Sequence, residues 1–177
     1  MAGGRHDNDP TLMLDVPAFL RAQVREVHRE LDTYLTEWES ALGPGSTARG
    51  SPVPALFLHG ATVEDVAIHT LLLREAPLFS SAWAGTGMAR YAPVDMEPIR
   101  SYAQAVYDAT DTYLGALTLD AASRRVDLSR LNLGQPTVAW VVSHFVVLEL
   151  AHLGGELMSA AHISRATDHP CSDLYLT

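Results

Sequence analysis

Apolar residues fall at Leu20, Val24, Val27, Leu31, Tyr34, Trp38 and Ala41, in alternating steps of four and three. That spacing writes one apolar stripe along a helix of roughly six turns. A helix with one such stripe must bury it against another element, so the seam constrains the fold more than any other feature. A second seam runs through Ile99, Tyr102, Val106, Thr110, Tyr113 and Leu117. A third runs through Val138, Val141, Phe145, Leu148 and His152. No pair of segments alternates apolar and polar residues as surface strands would.

Punctuation divides the chain around these seams. Asp15-Val16-Pro17 reads as a helix start, and Gly43-Pro44-Gly45 as its stop, giving helix one over about 16–42. Residues 43–61 read as a long connection whose apolar stretch Ala55–Leu58 tucks under the bundle. Thr62-Val63-Glu64-Asp65 resembles a capping box, so helix two is expected from Val63 to Glu75, before Pro77, with a resumption through Trp83. Helix three begins near Asp95 and Pro98. Asp120 starts a short turn, and Val126–Leu133 reads as a loop or short extended piece. Gln135-Pro136-Thr137 opens helix four, which runs through His162. The expected architecture is therefore all-α: an antiparallel four-helix bundle over 15–165, a flexible leader over 1–14 and a tail over 166–177. The linkers permit simple up-down order or one crossover.

Composition narrows the function classes. The formal net charge is −9, which opposes nucleic acid and anionic lipid. All 12 basic residues are arginine, which excludes Schiff-base chemistry on a lysine and fits the coding bias of high-GC bacteria. No uninterrupted apolar run of about 18 residues occurs, so no membrane span and no membrane partner is expected. The polar start MAGGRHDNDP lacks a signal peptide's apolar core, making a cytoplasmic location the default. The single cysteine, Cys171, sits in a polar segment near the end and reads as a bystander thiol.

The chemistry-bearing residues concentrate on two helices. Glu149, His152 and Glu156 are spaced three and four apart and share one face of helix four, overlapping its seam. Buried carboxylates need a partner, which a divalent metal, an arginine or a wet pocket could supply. His69 lies among large aliphatics on helix two and could meet His152 across the bundle. Imidazole and carboxylate together suit Zn²⁺, Ni²⁺ or Fe²⁺. The structural alternatives are a hydrogen-bonded core histidine at His69 and an intrahelical Glu149–His152 pair.

The remaining candidates are weaker. His144 is turned about 80° from the His152 face, and His59 lies in the preceding connection. His28 lies beside the helix-one seam and reads as a surface residue; His6, His162 and His169 are peripheral. Gly154-Gly155 within helix four points to close approach of another backbone or a ligand. Tyr102, Tyr107 and Tyr113 are mainly packing residues, one of which could offer a proton from its hydroxyl. Arg74 and Glu75 could orient an acidic substrate or simply pair at the surface.

The stretch Thr62–Glu75, with His69 at its centre, resembles helix two of the DinB-like superfamily. Leu148-Glu149-Leu150-Ala151-His152-Leu153-Gly154-Gly155-Glu156-Leu157 resembles that superfamily's last long helix. The resemblance implies a four-helix bundle like those of mycothiol-dependent maleylpyruvate isomerase and the bacillithiol or mycothiol S-transferases. It also implies a divalent metal held by three histidines, one on helix two and two on helix four. His69 and His152 match two of these positions, and the third falls on Leu148. In another register Glu149 takes the first helix-four position and Leu153 the second. Glu149 or Glu156 could then complete a two-histidine, one-carboxylate site; otherwise the pocket is metal-free.

Three functions follow as expectations. The first is a metal- or thiol-dependent transferase or isomerase acting on a small electrophile, with His69, His152, Glu149 and Glu156 catalytic and a low-molecular-weight thiol as co-substrate. The second is a metal-free catalyst of a biosynthetic or tailoring step, using His, Glu and Tyr for acid–base chemistry. The third is a non-catalytic small-ligand-binding or stress-response bundle. In all three the partner is a small molecule, and a homodimer would bury spare apolar faces.

Overall fold

A computed structural model describes residues 15–42, 51–79 and 95–167, with side chains as far as residue 160. The described residues are helical apart from connections and one isolated bridge, Arg125 to Thr137. The leader, most of the expected Trp83 extension, the end of the tail and Cys171 lie outside them.

α1 spans Val16–Leu42, with the bounds its seam requires. Asp15 accepts a hydrogen bond from Ala18 N at 3.1 Å, which satisfies one of the free amides of the first turn. α2 spans Val53–Asp65 and continues without a break as a π-helical segment, Val66–Leu73. α3 is Met96–Gly115, capped by Asp95, and α4 is the short helix Leu119–Ser123, capped by Thr118. A 3₁₀ turn covers Ser129–Leu131. α5 spans Val138–Val142, capped by Thr137, and passes through a second π segment, Ser143–Leu148, into α6, Glu149–Thr167.

Two expectations about α2 are corrected. The helix begins ten residues earlier than Val63, and Ala55–Leu58 is its first turns rather than a tucked connection. Thr62 is not a cap: its hydroxyl donates to Leu58 O at 2.8 Å within the helix. Glu64 and Asp65 therefore lie in the middle of a long helical stretch, and both are fully buried. The helix ends at Arg74, whose backbone is left-handed at φ 64°.

α1 and α2 each pack on α3 and on α6, so these two sequence neighbours face each other across the core. Arg21 and Arg25 meet Asp111, while Arg100 meets Glu39, so α1 and α3 are antiparallel. Gly60 approaches Leu150 and Leu153, while Val66–Leu73 packs on Val138–Val142, so α2 and the last helix are antiparallel too. α2 and α3 instead run the same way: Asp65 meets Tyr102, and Leu73 shares a groove with Thr112 and Tyr113. The connection after Leu73 is thus a crossover, the second of the two orders the linkers allowed.

The π segment Ser143–Leu148 changes which residues face the core. A π turn closes its hydrogen bonds one residue later than an α turn, so it acts as a one-residue insertion. Upstream, Val138, Val141 and Val142 are buried as an α-helix requires. Downstream, the buried set is Val146, Leu150, Leu153, Leu157 and Ala160. The expected seam through Phe145, Leu148 and His152 is displaced by one, and Leu148 is 58% exposed.

The glycines also depart from expectation. A Cβ on Gly155 would meet nothing, and one on Gly154 would touch Tyr34 at an ordinary 3.4 Å. The close approach is at Gly60, where a Cβ would stand 2.5 Å from Leu153 Cδ2.

By length and mean hydropathy, Val53–Leu73 and Val138–Ala160 could each cross a bilayer. The expectation of no such segment counted only unbroken apolar runs and is corrected to that extent. Val53–Leu73 turns Glu64, Asp65 and His69 into the protein interior.

Candidate functional site

At mid-height the core is crossed by a polar layer. His28 comes from α1, Glu64 and Asp65 from α2, His69 from the π segment, and Tyr102 and Tyr107 from α3. His28 Nε2 lies 2.9 Å from Glu64 Oε2, and the ring stacks on Tyr107 with centroids 3.6 Å apart and planes 14° from parallel. His28 is 8% exposed and Glu64 not at all. Reading His28 as a surface residue was wrong. Val24, His28, Leu31 and Leu35 are spaced four, three and four, so the imidazole lies inside the stripe. Glu64 Oε1 is enclosed without a hydrogen-bond partner among the described residues.

Asp65 does different work. It accepts hydrogen bonds from Leu78 N at 3.0 Å, Phe79 N at 2.9 Å and the Tyr102 hydroxyl at 2.7 Å. It thereby ties the chain leaving the π segment to the core. His69 Nδ1 lies 2.8 Å from Asp65 Oδ1 one turn away, although the angle makes no well-aligned hydrogen bond. Burial, and then the bond to Asp65, push the Tyr102 hydroxyl well above the ordinary tyrosine range. Burial does the same at Tyr107, reinforced by the Glu64 and Asp32 carboxylates.

The His28 end of the layer opens on a groove of about 630 Å³ between α1 and α3. His28 and Tyr107 lie on its floor. Arg25, Arg29, Asp32, Thr33, Thr36 and Glu37 line the α1 side, and Gln104, Asp108 and Asp111 the α3 side. Glu64 occupies Nε2, so Nδ1 is the imidazole nitrogen left for a molecule in the groove. Asp111 accepts bidentate forks from both Arg21 (2.8 and 2.6 Å) and Arg25 (2.6 and 2.9 Å), which hold its carboxyl well below the usual range. Burial raises the pKa of Asp32, against the opposing charges of Arg100 and His28.

The four residues singled out in the sequence are not brought together. His69 is buried against Asp65, and its segment packs on Val138–Val142. His152 faces solvent with a 71% exposed side chain, 3.3 Å from an exposed Glu156, and Glu149 is exposed as well. The displacement at Ser143–Leu148 turns all three outward. Among the described residues, no group of three or more His, Cys, Asp or Glu side chains is placed to hold a metal ion. His144 stacks on Trp140 at the surface, with centroids 4.4 Å apart. Compared with protein-family models, curated proteins and solved structures, the chain matches none.

Proposed function

We propose that this protein is a metal-independent acid–base catalyst acting on a small polar molecule in the α1–α3 groove, with His28 as the proton-transfer group. The observation that carries this reading is the His28–Glu64 pair. A fully buried carboxylate fixes one imidazole nitrogen, and the ring lines a groove with the other. A carboxylate behind a histidine sets its tautomer and steadies the imidazolium formed when the outer nitrogen takes a proton. Tyr107, stacked on the ring, holds its plane.

Isomerisation by proton removal and return needs only such a group. A thiol transferase working through three metal ligands would need a cluster that His69, His152 and Glu149 do not form.

p-Nitrophenyl acetate reports an activated imidazole without knowledge of the natural substrate. Wild-type protein should hydrolyse it faster than buffer and keep that rate in chelator. His28→Gln should fall to background, and Glu64→Gln should lose about tenfold or more, since general-base contributions run from about 10² to 10⁴. A rate unchanged in folded His28→Gln would sink the reading.

A further inference from the structure

The charges along the groove change sign on either side of His28. At one end two guanidiniums, Arg21 and Arg25, share the carboxylate of Asp111, a triad with one positive charge in excess, while the Asp108 carboxylate on the same side takes a hydrogen bond from Gln104. Arg29 does not extend this positive end, because Glu26 already binds its guanidinium. At the other end stands Asp32, half-buried. No hydrogen-bond donor among the described residues reaches its carboxylate, and the nearby Arg100 is held by Glu39 at 2.6 Å. A desolvated carboxylate without a donor is costly unless a cation comes to it.

His28 sits three residues from Arg25 and four from Asp32, one turn from each along the same helix. At 1.5 Å per residue, the two charged ends are about 10 Å apart. Nine-tenths buried, with Nδ1 left over by Glu64, the imidazole points to a ligand lying across it.

We propose that the groove binds a zwitterionic small molecule with its charges about 10 Å apart, anionic group on Arg25 and ammonium on Asp32, so that its middle lies over His28. This deepens the acid–base reading by naming the substrate class, and it rests on the same groove.

Triglycine is a suitable probe, because three extended residues carry its terminal charges to about 10 Å apart. Its N-acetylated form lacks the ammonium, and its amide lacks the carboxylate. All three would be titrated into the ¹⁵N-labelled full-length protein while the amide resonances of residues 25–33 and 104–111 are followed. Triglycine should shift them saturably, and each blocked form should bind about tenfold more weakly, the loss of one charge-assisted contact. In Asp32→Asn the free and acetylated peptides should become equal, and in Arg25→Gln the free and amidated ones.

Equal binding of all three peptides to the wild type, or no shift of groove resonances by any, overturns the proposal without recourse to a variant. The two readings fail separately. Charge-selective binding without His28-dependent ester hydrolysis keeps the zwitterion site and removes the catalyst. The reverse result keeps the catalyst and removes the zwitterion.

Discussion

Glu64, Asp65 and His69 on the second helical stretch, and Glu149, His152 and Glu156 on the last, are each two carboxylates and a histidine within about two turns, in opposite surroundings. The first set is buried, and each member touches a partner: His28 for Glu64, Tyr102 and two backbone amides for Asp65, Asp65 for His69. The second set is exposed, and its one contact is a 3.3 Å pair in water. Side-chain chemistry alone does not make a site. Burial removes competition from solvent and makes a polar group costly without a partner, whereas an exposed pair of the same type is worth at most about 1 kcal/mol.

The harshest way to break this contrast is to delete Val147. A one-residue deletion inside Ser143–Leu148 would restore the α period and rotate α6, bringing Glu149, His152 and Glu156 toward the core and Leu150, Leu153 and Leu157 toward water. Losing several buried leucines, at about 2 kcal/mol or more each, exceeds the margin of a domain this size, so cooperative unfolding in urea should vanish. A sharp transition in the deletion variant would show that the π segment does not set the face.

Single truncations sharpen the same contrast. Glu64→Ala leaves His28 buried without its partner and should cost about 3–5 kcal/mol. Glu149→Ala and His152→Ala should each stay within about 0.5 kcal/mol. Urea midpoints at one pH measure all three.

Alkaline unfolding probes the inner region through its tyrosines. Tyr102 and Tyr107 have folded pKa values raised above the unfolded value near 10, so the unfolded chain gives up these protons first. Their contribution is intact below about pH 10 and is lost as pH rises toward the folded values, by about 1.4 kcal/mol per pH unit for each tyrosine. Burial raises the Tyr113 hydroxyl too, so Tyr107→Phe should flatten the total decline by about a third. An identical slope in the variant would show that Tyr107 does not hold its proton in the folded state.

The glycines carry the contrast to the packing itself. Gly60→Ala should destabilise by about 1–3 kcal/mol through overpacking against Leu153, whereas Gly155→Ala, opening into empty space, should stabilise by up to about 1 kcal/mol. Thermal melts that give both changes the same sign would contradict the assigned contacts.

How much of this was legible in the sequence follows from where the α period holds. α1 and α3 keep it throughout, and their starts agree with expectation at Asp15 and Asp95. The all-α class rests on the same regularity. Helix four failed where periodicity must fail, at a π segment whose residues, Ser143-His144-Phe145-Val146-Val147-Leu148, carry no proline or glycine to mark it. His28 was within reach, since steps of four and three from Val24 land on it as readily as on Val27. Its partner was not, because pairing across 36 positions is set by how two helices face each other over the core. The groove belongs to the same class of unseen features, for the residues of its two walls lie more than 60 positions apart.

The missing side chain at Gly60 also sets the axial position of two helices. Leu153 finds room only there, because one turn in either direction would bring it against Leu56 or Glu64, about 5.4 Å along the axis. The pair therefore has a single seat, like a pin in a drilled hole. Glu64, one turn beyond that seat, is held at a fixed height in the core opposite His28.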